Sequence, residues 1–287
     1  MNRSTSSAKG IPSGLAEQIE KLYDSRSVQP RDAFNVFEKF ITLLDNGEIR
    51  AAEPANGTWV VHEWVKKGIL LGFRLGMLKR IPNVGNFSFY DKHTFPLKKI
   101  SRNDNIRVVP GGSAVRKGAY VAPGVVVMPP AYINIGAYVG KDSMIDSHAL
   151  VGSCAQIGAR VHISAAAQIG GVLEPVGALP VIIEDGVLVG GNSGIYEGAI
   201  VKRGAVIGAG VVLTASTPVY DCIKETVMTK TSAGTLIIPE HAVVVPGARA
   251  LSSAFARTHG LSLSTPLIVK YRDEKTDART ALEELLR

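Results

Sequence analysis

The sequence predicts a mainly-β chain dominated by a parallel β-helix. Three regularities of residues 109–218 predict it. One aliphatic residue returns every sixth position, at Val109, Val115, Val121, Val127, Ile133, Val139, Ile145, Val151, Ile157, Ile163 and Ile169, and again from Ile183 through Val189, Ile195, Val201 and Ile207 to Leu213. Four places after each stands a small or β-branched residue, such as Ala119, Val125, Ala131, Ala137, Ser143 and Ala149. Glycine often follows the aliphatic residue directly, as at Gly140, Gly152, Gly158, Gly170, Gly190 and Gly208. A helix would repeat its apolar face near 3.6 residues and an ordinary strand near 2. A period of six suits short strands with a bend after each, three of which make one coil. The aliphatic residue then points inward, the small residue fits the corner, and glycine is expected to relieve the backbone near the bend.

The remaining elements are read in order. Residues 1–15 form a polar tail without the apolar core of a secretory signal. Leu15, Ile19, Leu22 and Tyr23, then Phe34, Phe37, Phe40, Ile41 and Leu44, follow helical spacing; Pro30 and Asp32 start the second helix and Asn46-Gly47 ends it. Ile49–Ala52 and Thr58–Val61 read as short strands around a turn, and Val60 to about Lys79 reads as a third helix. Residues 80–105 read as a polar connector. This divides the chain into a mostly helical domain over 1–105, a β-helix over 106–250 and a C-terminal cap over 251–287. The cap consists of a strand at Leu261–Tyr271 and a helix from about Asp277 to Arg287. Two stretches break the sixfold phase: 170–182 (GGVLEPVGALPVI) and the Thr/Lys-rich 219–236, after which one more pair of hexads is expected at Ile238, Ala242, Val244 and Ala248. Loops that leave a solenoid usually do so on its binding face.

Composition narrows the function. Hydrophobic content of 46% with 20% charged residues is that of a globular chain, and no run approaches the ~18 apolar residues of a membrane span. Cys154 and Cys222 lack the spacing of a metal or redox pair, which points to a reduced, cytoplasmic setting. The net charge of +7 is spread along the chain, with no basic run interleaved with aromatics. That pattern speaks against nucleic acid and for an anionic small substrate. Metal-dependent hydration on such a scaffold needs three histidines, and only His148 and His162 lie in the coils, so no metal site is expected.

Longer motifs carry more than the repeat. The runs LLDNGEIRAAEP and GTWVVHEWVKKGILLGFRL (within 43–75), FSFYDK and PLK (within 87–98), IRVVPGG (106–112), YINIGAYV (132–139), SMID (143–146), VGSCAQIG (151–158), GGVLEP (170–175), IIEDG (182–186), VVVPGA (243–248), LIVKYRDEKTDA (267–278) and LEELLR (282–287) closely resemble the 2,3,4,5-tetrahydropyridine-2,6-dicarboxylate N-succinyltransferase family from about residue 40 onward. The resemblance implies a left-handed coil and an acyltransferase of lysine and diaminopimelate biosynthesis. Its reaction moves a succinyl group from succinyl-CoA, a co-substrate rather than a resident cofactor, to the amine of 2-amino-6-oxopimelate. It also implies a homotrimer with sites between subunits and no nucleic-acid or membrane partner. A related N-acetyltransferase shares the hexads and the GVLEP loop but differs in its N-terminal domain and ending. Transfer from acetyl-CoA or to another amine is therefore the alternative, followed by a non-catalytic scaffold.

The same resemblance nominates residues. Arg107 stands where the family places an arginine for a substrate carboxylate, against the reading of a solvated arginine at a domain junction. Asp146 matches the family's aspartate that contacts the substrate amine; otherwise it caps a turn. His148 is a second candidate base or a surface turn residue, and His162 matches a family histidine whose role is structural or catalytic. The chain departs from the family at GGNSGIYEG (190–198). Asn192 replaces an arginine and Gly194 the glutamate usually proposed as catalytic partner, so either Glu197 takes that role or catalysis rests on Asp146 with other groups. Glu174 on the excursion either holds the loop or contacts substrate. Lys202, Arg203, Lys230 and Lys270 are candidates for the coenzyme A phosphates.

Overall fold

The computed structural model describes residues 14–25, 30–55, 57–84 and 87–272. The helix expected from Asp277 to Arg287 lies outside them. Helices α1 (Leu15–Asp24), α2 (Pro30–Asp45) and α3 (Glu63–Leu75) pack around Phe37, Phe40, Ile41 and Ile69. Two glycines explain how closely α3 approaches α2. A Cβ at Gly68 would meet the Phe40 ring at 2.5 Å, and one at Gly72 would meet Cζ of the Phe37 ring at 2.6 Å. The helical core continues into Ile135 and Cys154 of the coils, which seats this domain on one corner of the β-helix.

Two expectations for this region need correction. The first hairpin pairs β1 (Ala52–Ala55) with β2 (Thr58–Val61), so its first strand begins where Ile49–Ala52 was expected to end. The reason is that Ile49 is buried in the helical core. The expected polar connector instead contains an antiparallel pair, β3 (Leu78–Val84) and β4 (Phe87–Lys92). The adjacent Phe89 and Tyr90 are both exposed, so this stretch of β4 does not alternate between buried and exposed residues as a half-buried strand does.

The coils form three parallel sheets of two-residue strands. The first face stacks Arg107–Val108, Val126–Val127, Met144–Ile145, His162–Ile163, Leu188–Val189 and Val206–Ile207. The second runs from Ala114–Val115 to Val212–Leu213, and the third from Tyr120–Val121 to Ile237–Ile238. Successive rungs are 18 residues apart, as Val127 to Ile145 to Ile163. The inward residues make one continuous core. The first rung alone slips: Val108, not Val109, lies opposite Val127, and Val108 is exposed at the open end.

The corners revise the role given to glycine. Positive φ falls on the third residue after the inward one, at Gly118, Gly124, Gly136, Asp142 (57°), His148 (62°), Cys154 (65°), Arg160 (53°), Ala166 (58°) and Asn192 (57°). The glycines directly after the aliphatic residue serve stacking instead. A Cβ at Gly140 would meet the Gly158 backbone at 2.5 Å, and one at Gly190 would meet the Ala209 nitrogen at 2.5 Å.

The 170–182 excursion leaves the stack intact, since Ile157 pairs with Ile183 across it. The second break contains a hairpin, Val219–Asp221 with Thr226–Met228. The strand Ala242–Ala250 starts as a coil rung, Val244 opposite Ile207, then runs on antiparallel to Ser262–Tyr271. Ala248 is therefore a ribbon residue and not a hexad corner. Gly247, third after Val244, does not take positive φ, so the chain goes straight on.

Candidate active site

The first face gathers three of the expected residues. A residue before or after an inward one points outward from its strand. Arg107 and His162 precede their inward partners and Asp146 follows Ile145, so all three project from one sheet. His162 lies one rung above Asp146, and its Nε2 stands 3.7 Å from Asp146 Oδ2, an ionic separation longer than a hydrogen bond. The other carboxylate oxygen of Asp146 accepts the Ser147 backbone N–H at 2.7 Å, which fixes the group's orientation. His162 is the more enclosed of the pair, its side chain 13% exposed against 29% for Asp146. Arg107 is exposed two rungs below Asp146, ~10 Å away at ~4.8 Å per rung. His148 sits on the next corner, exposed, with its backbone N–H donating to the Pro130 carbonyl at 2.5 Å.

Glu174 and Glu197 lie elsewhere, together, in a cleft of about 400 Å³ under the excursion, with Tyr196, Pro175 and Ala178. Glu197 occupies a positive-φ position and accepts the Ala215 N–H at 3.1 Å. The Tyr196 ring lies over Gly194: a Cβ there would meet the phenol oxygen at 2.7 Å. The space a longer side chain at 194 would use is thus filled by that ring.

The four basic candidates do not converge. Lys202 donates to Glu184 Oε1 at 2.9 Å, and the Arg203 backbone N–H donates to the other oxygen at 3.1 Å. Burial pushes the Glu184 carboxyl up, but the hydrogen bonds from Lys202 and Trp59 outweigh it and leave the group below its usual range. Lys202 is therefore engaged. Lys230 is exposed on the polar break, and Lys270 is exposed on the C-terminal ribbon opposite Val243.

Sequence reading missed Lys66. This lysine of α3 is fully buried, and its Nζ donates to the Ala178 carbonyl of the excursion at 2.5 Å. Leu173 packs into the same helical core, so the loop bearing Glu174 is held by the N-terminal domain. Helical spacing gave no sign of this, because a lysine in a helix reads as solvated. Among the described residues, no group of three His, Cys, Asp or Glu side chains could hold a metal ion, and no helix is long and apolar enough to cross a membrane.

Comparison with known proteins agrees with this architecture. Residues 14–75 match the tetrahydrodipicolinate N-succinyltransferase N-terminal family, and 180–215 match the hexapeptide repeat of succinyl-transferase family. The first match extends the likeness well before residue 40. The 2,3,4,5-tetrahydropyridine-2,6-dicarboxylate N-succinyltransferase of Granulibacter bethesdensis is 42% identical over 284 residues, covering 95% of this chain and 98% of that one. Its Ehrlichia ruminantium namesake is 46% identical over 266 residues, covering 88% and 87%. Among solved structures, a putative 2,3,4,5-tetrahydropyridine-2-carboxylate N-succinyltransferase of Campylobacter jejuni aligns with a TM-score of 0.47 at 17% identity, over 82% of this chain and 62% of that one. With a left-handed β-helix, a helical N-terminal domain and identities above 40% over nearly its whole length, the chain belongs to the 2,3,4,5-tetrahydropyridine-2,6-dicarboxylate N-succinyltransferase family.

Proposed function

We propose that the chain transfers a succinyl group from succinyl-CoA to the amine of ring-opened tetrahydrodipicolinate. The observation that carries the site assignment is the cluster on the first face: a carboxylate oriented by a backbone N–H, a histidine 3.7 Å away, and an arginine on the same sheet. The substrate amine is protonated near neutral pH and must lose a proton before it attacks. In this reading Asp146 takes that proton, with His162 beside it at 3.7 Å. The amine nitrogen then bonds to the thioester carbon, the C–S bond breaks, and the second proton the nitrogen loses goes to the departing coenzyme A thiolate. Backbone N–H groups stabilise the oxyanion formed between these steps. Arg107 supplies a two-pronged donor to a substrate carboxylate.

Glu174 and Glu197 complete the site from another copy of the chain. What supports this is that they share a cleft with each other and not with Asp146. A homotrimer with sites between subunits meets that need. Lys230 and Lys270, both exposed, are assigned to the coenzyme A phosphates, with Arg203 beside them and Lys202 in a supporting pair with Glu184. His148 is retained as an alternative base.

The test is thiol release from succinyl-CoA or acetyl-CoA, with and without tetrahydrodipicolinate. Amine-dependent release from succinyl-CoA, lost in Asp146→Asn, is the expected result. Preference for acetyl-CoA would reassign the donor, and no release from either would remove the activity.

A further inference from the structure

A cleft of about 780 Å³ lies between the β1–β2 hairpin and the third face, and none of Asp146, His162, Glu174 and Glu197 lines it. Arg50 dominates it. Its guanidinium carbon stands 3.6 Å from the centre of the Tyr138 ring and 5.7 Å from that of Trp59. Its Nε donates to Gln156 Oε1 at 2.9 Å, and Gln156 is itself locked by a bond to the Cys154 carbonyl at 2.8 Å. The guanidinium is thus fixed in plane and direction, yet among the described residues neither of its terminal nitrogens has an acceptor.

The acids nearby are otherwise occupied. Glu184 takes Lys202 and Trp59, Asp185 takes the Ala159 N–H at 2.8 Å, and Glu53 faces His62 at 3.5 Å. None lies within 4 Å of Arg50. Lys141 and Arg203 add positive charge at the lining, and the Tyr120 and Tyr138 rings stack at 4.8 Å on its wall. Burial holds the Arg50 pKa below its ordinary value, so this charge has lost water without gaining a counter-ion.

A rigid two-pronged donor in a desolvated cleft is built for a carboxylate or a phosphate. The aromatic wall offers a flat surface for the rest of the ligand, and the volume falls in the range of small-molecule sites. We propose that this cleft is a second binding site, for a planar anion whose phosphate or carboxylate rests on Arg50 and whose ring lies against Trp59 and Tyr120. The proposal concerns binding alone; Arg203, assigned above to the coenzyme A phosphates, also lines this cleft.

Calorimetric titration tests it on the full chain, with AMP for the phosphate class, benzene-1,3-dicarboxylate for the carboxylate class, and inorganic phosphate as an anion without a ring. The expected result is saturable binding of AMP or the dicarboxylate at least tenfold tighter than inorganic phosphate, and at least tenfold weaker in Arg50→Gln. The tighter probe then names the class. No saturable binding, binding equal to that of inorganic phosphate, or affinity unchanged in Arg50→Gln overturns the proposal. Should Arg50→Gln fail to fold, exposed Lys141→Gln decides: a loss of about threefold supports the site, and an unchanged affinity removes it.

Discussion

The two acidic regions of this protein are built in opposite ways. Asp146 stands on a regular rung, where the position after an inward isoleucine is outward by the geometry of the strand and the next rung brings His162 to 3.7 Å. Glu174 and Glu197 stand where regularity fails: one on the excursion that interrupts the repeat, the other on a positive-φ corner. The first region is placed by the repeat itself. The second needs an outside tether, which Lys66 and Leu173 of the helical core and loop provide. The difference teaches that the coil supplies rigid spacing for chemistry, while the excursion supplies groups whose position depends on another domain.

The sharpest way to break that contrast is to neutralise each acid. Asp146→Asn is expected to lower kcat for amine-dependent thiol release by about 10²–10⁴, the range of a lost general base. Glu197→Gln keeps an oxygen for the Ala215 N–H and is expected to lose much less, about tenfold on the scale of one charged hydrogen bond. Equal losses would show that both acids work at the proton. Mixing the two variants under conditions that allow subunit exchange sharpens the comparison further. Partial recovery of activity is expected where the two acids come from different copies, and none where one chain must hold both.

Arg107→Gln comes next. Loss of a charge-assisted carboxylate contact costs about 1.5–3 kcal/mol, or about 10- to 150-fold in kcat/KM. The loss is expected chiefly in KM for the amino substrate, with KM for the acyl donor little changed. A loss confined to kcat would move Arg107 from binding to the chemical step.

The coils offer their own contrast. Gly140→Ala drives a methyl into the Gly158 backbone, whereas Gly186→Ala at φ 66° meets nothing within 4 Å and bears only the conformational cost. Thermal or denaturant melts are expected to show Gly140→Ala costing about 3 kcal/mol or more and Gly186→Ala about 1–2 kcal/mol. The reverse order would return the corner role to the glycines that follow the aliphatic residue.

The period of six made the wall of the molecule legible, because the inward positions are aliphatic and the rungs outside the two breaks repeat at 18 residues. It misled at the two places where burial and period part. At the first rung, Val109 fits the count while Val108 takes the place. At Val244, the count runs on to Ala248 while the chain straightens. Asp146 was nominated through the resemblance of SMID to the family motif. The fork of Arg50 was not legible, since stacking on Tyr138 and Trp59 joins three segments that no local pattern connects. Lys66 was hidden for a related reason: its acceptor lies 112 residues along the chain.

Lys66 also gives the smallest effect and the most direct check on the tether. Burial holds its ammonium below the ordinary lysine pKa, with the neighbouring Cys154 and Glu63 pulling weakly the other way. The unfolded chain, near 10.4 at this group, therefore binds more protons than the folded one in the alkaline window just below that value. The Lys66 contribution to folding stability therefore rises with pH across that window, by at most ~1.4 kcal/mol per pH unit for one proton. Lys66→Met removes the proton and the rise together. Cys154, pushed up to about 12 by burial, titrates near 8.5 once unfolded, so it lowers the stability of both proteins across this window and cancels in their difference. Denaturant melts of both proteins from pH 8 to 10 are expected to diverge, with the wild type gaining on the variant. Parallel curves would mean that Lys66 holds the excursion as an already neutral amine, and that the tether rests on packing around Leu173 alone.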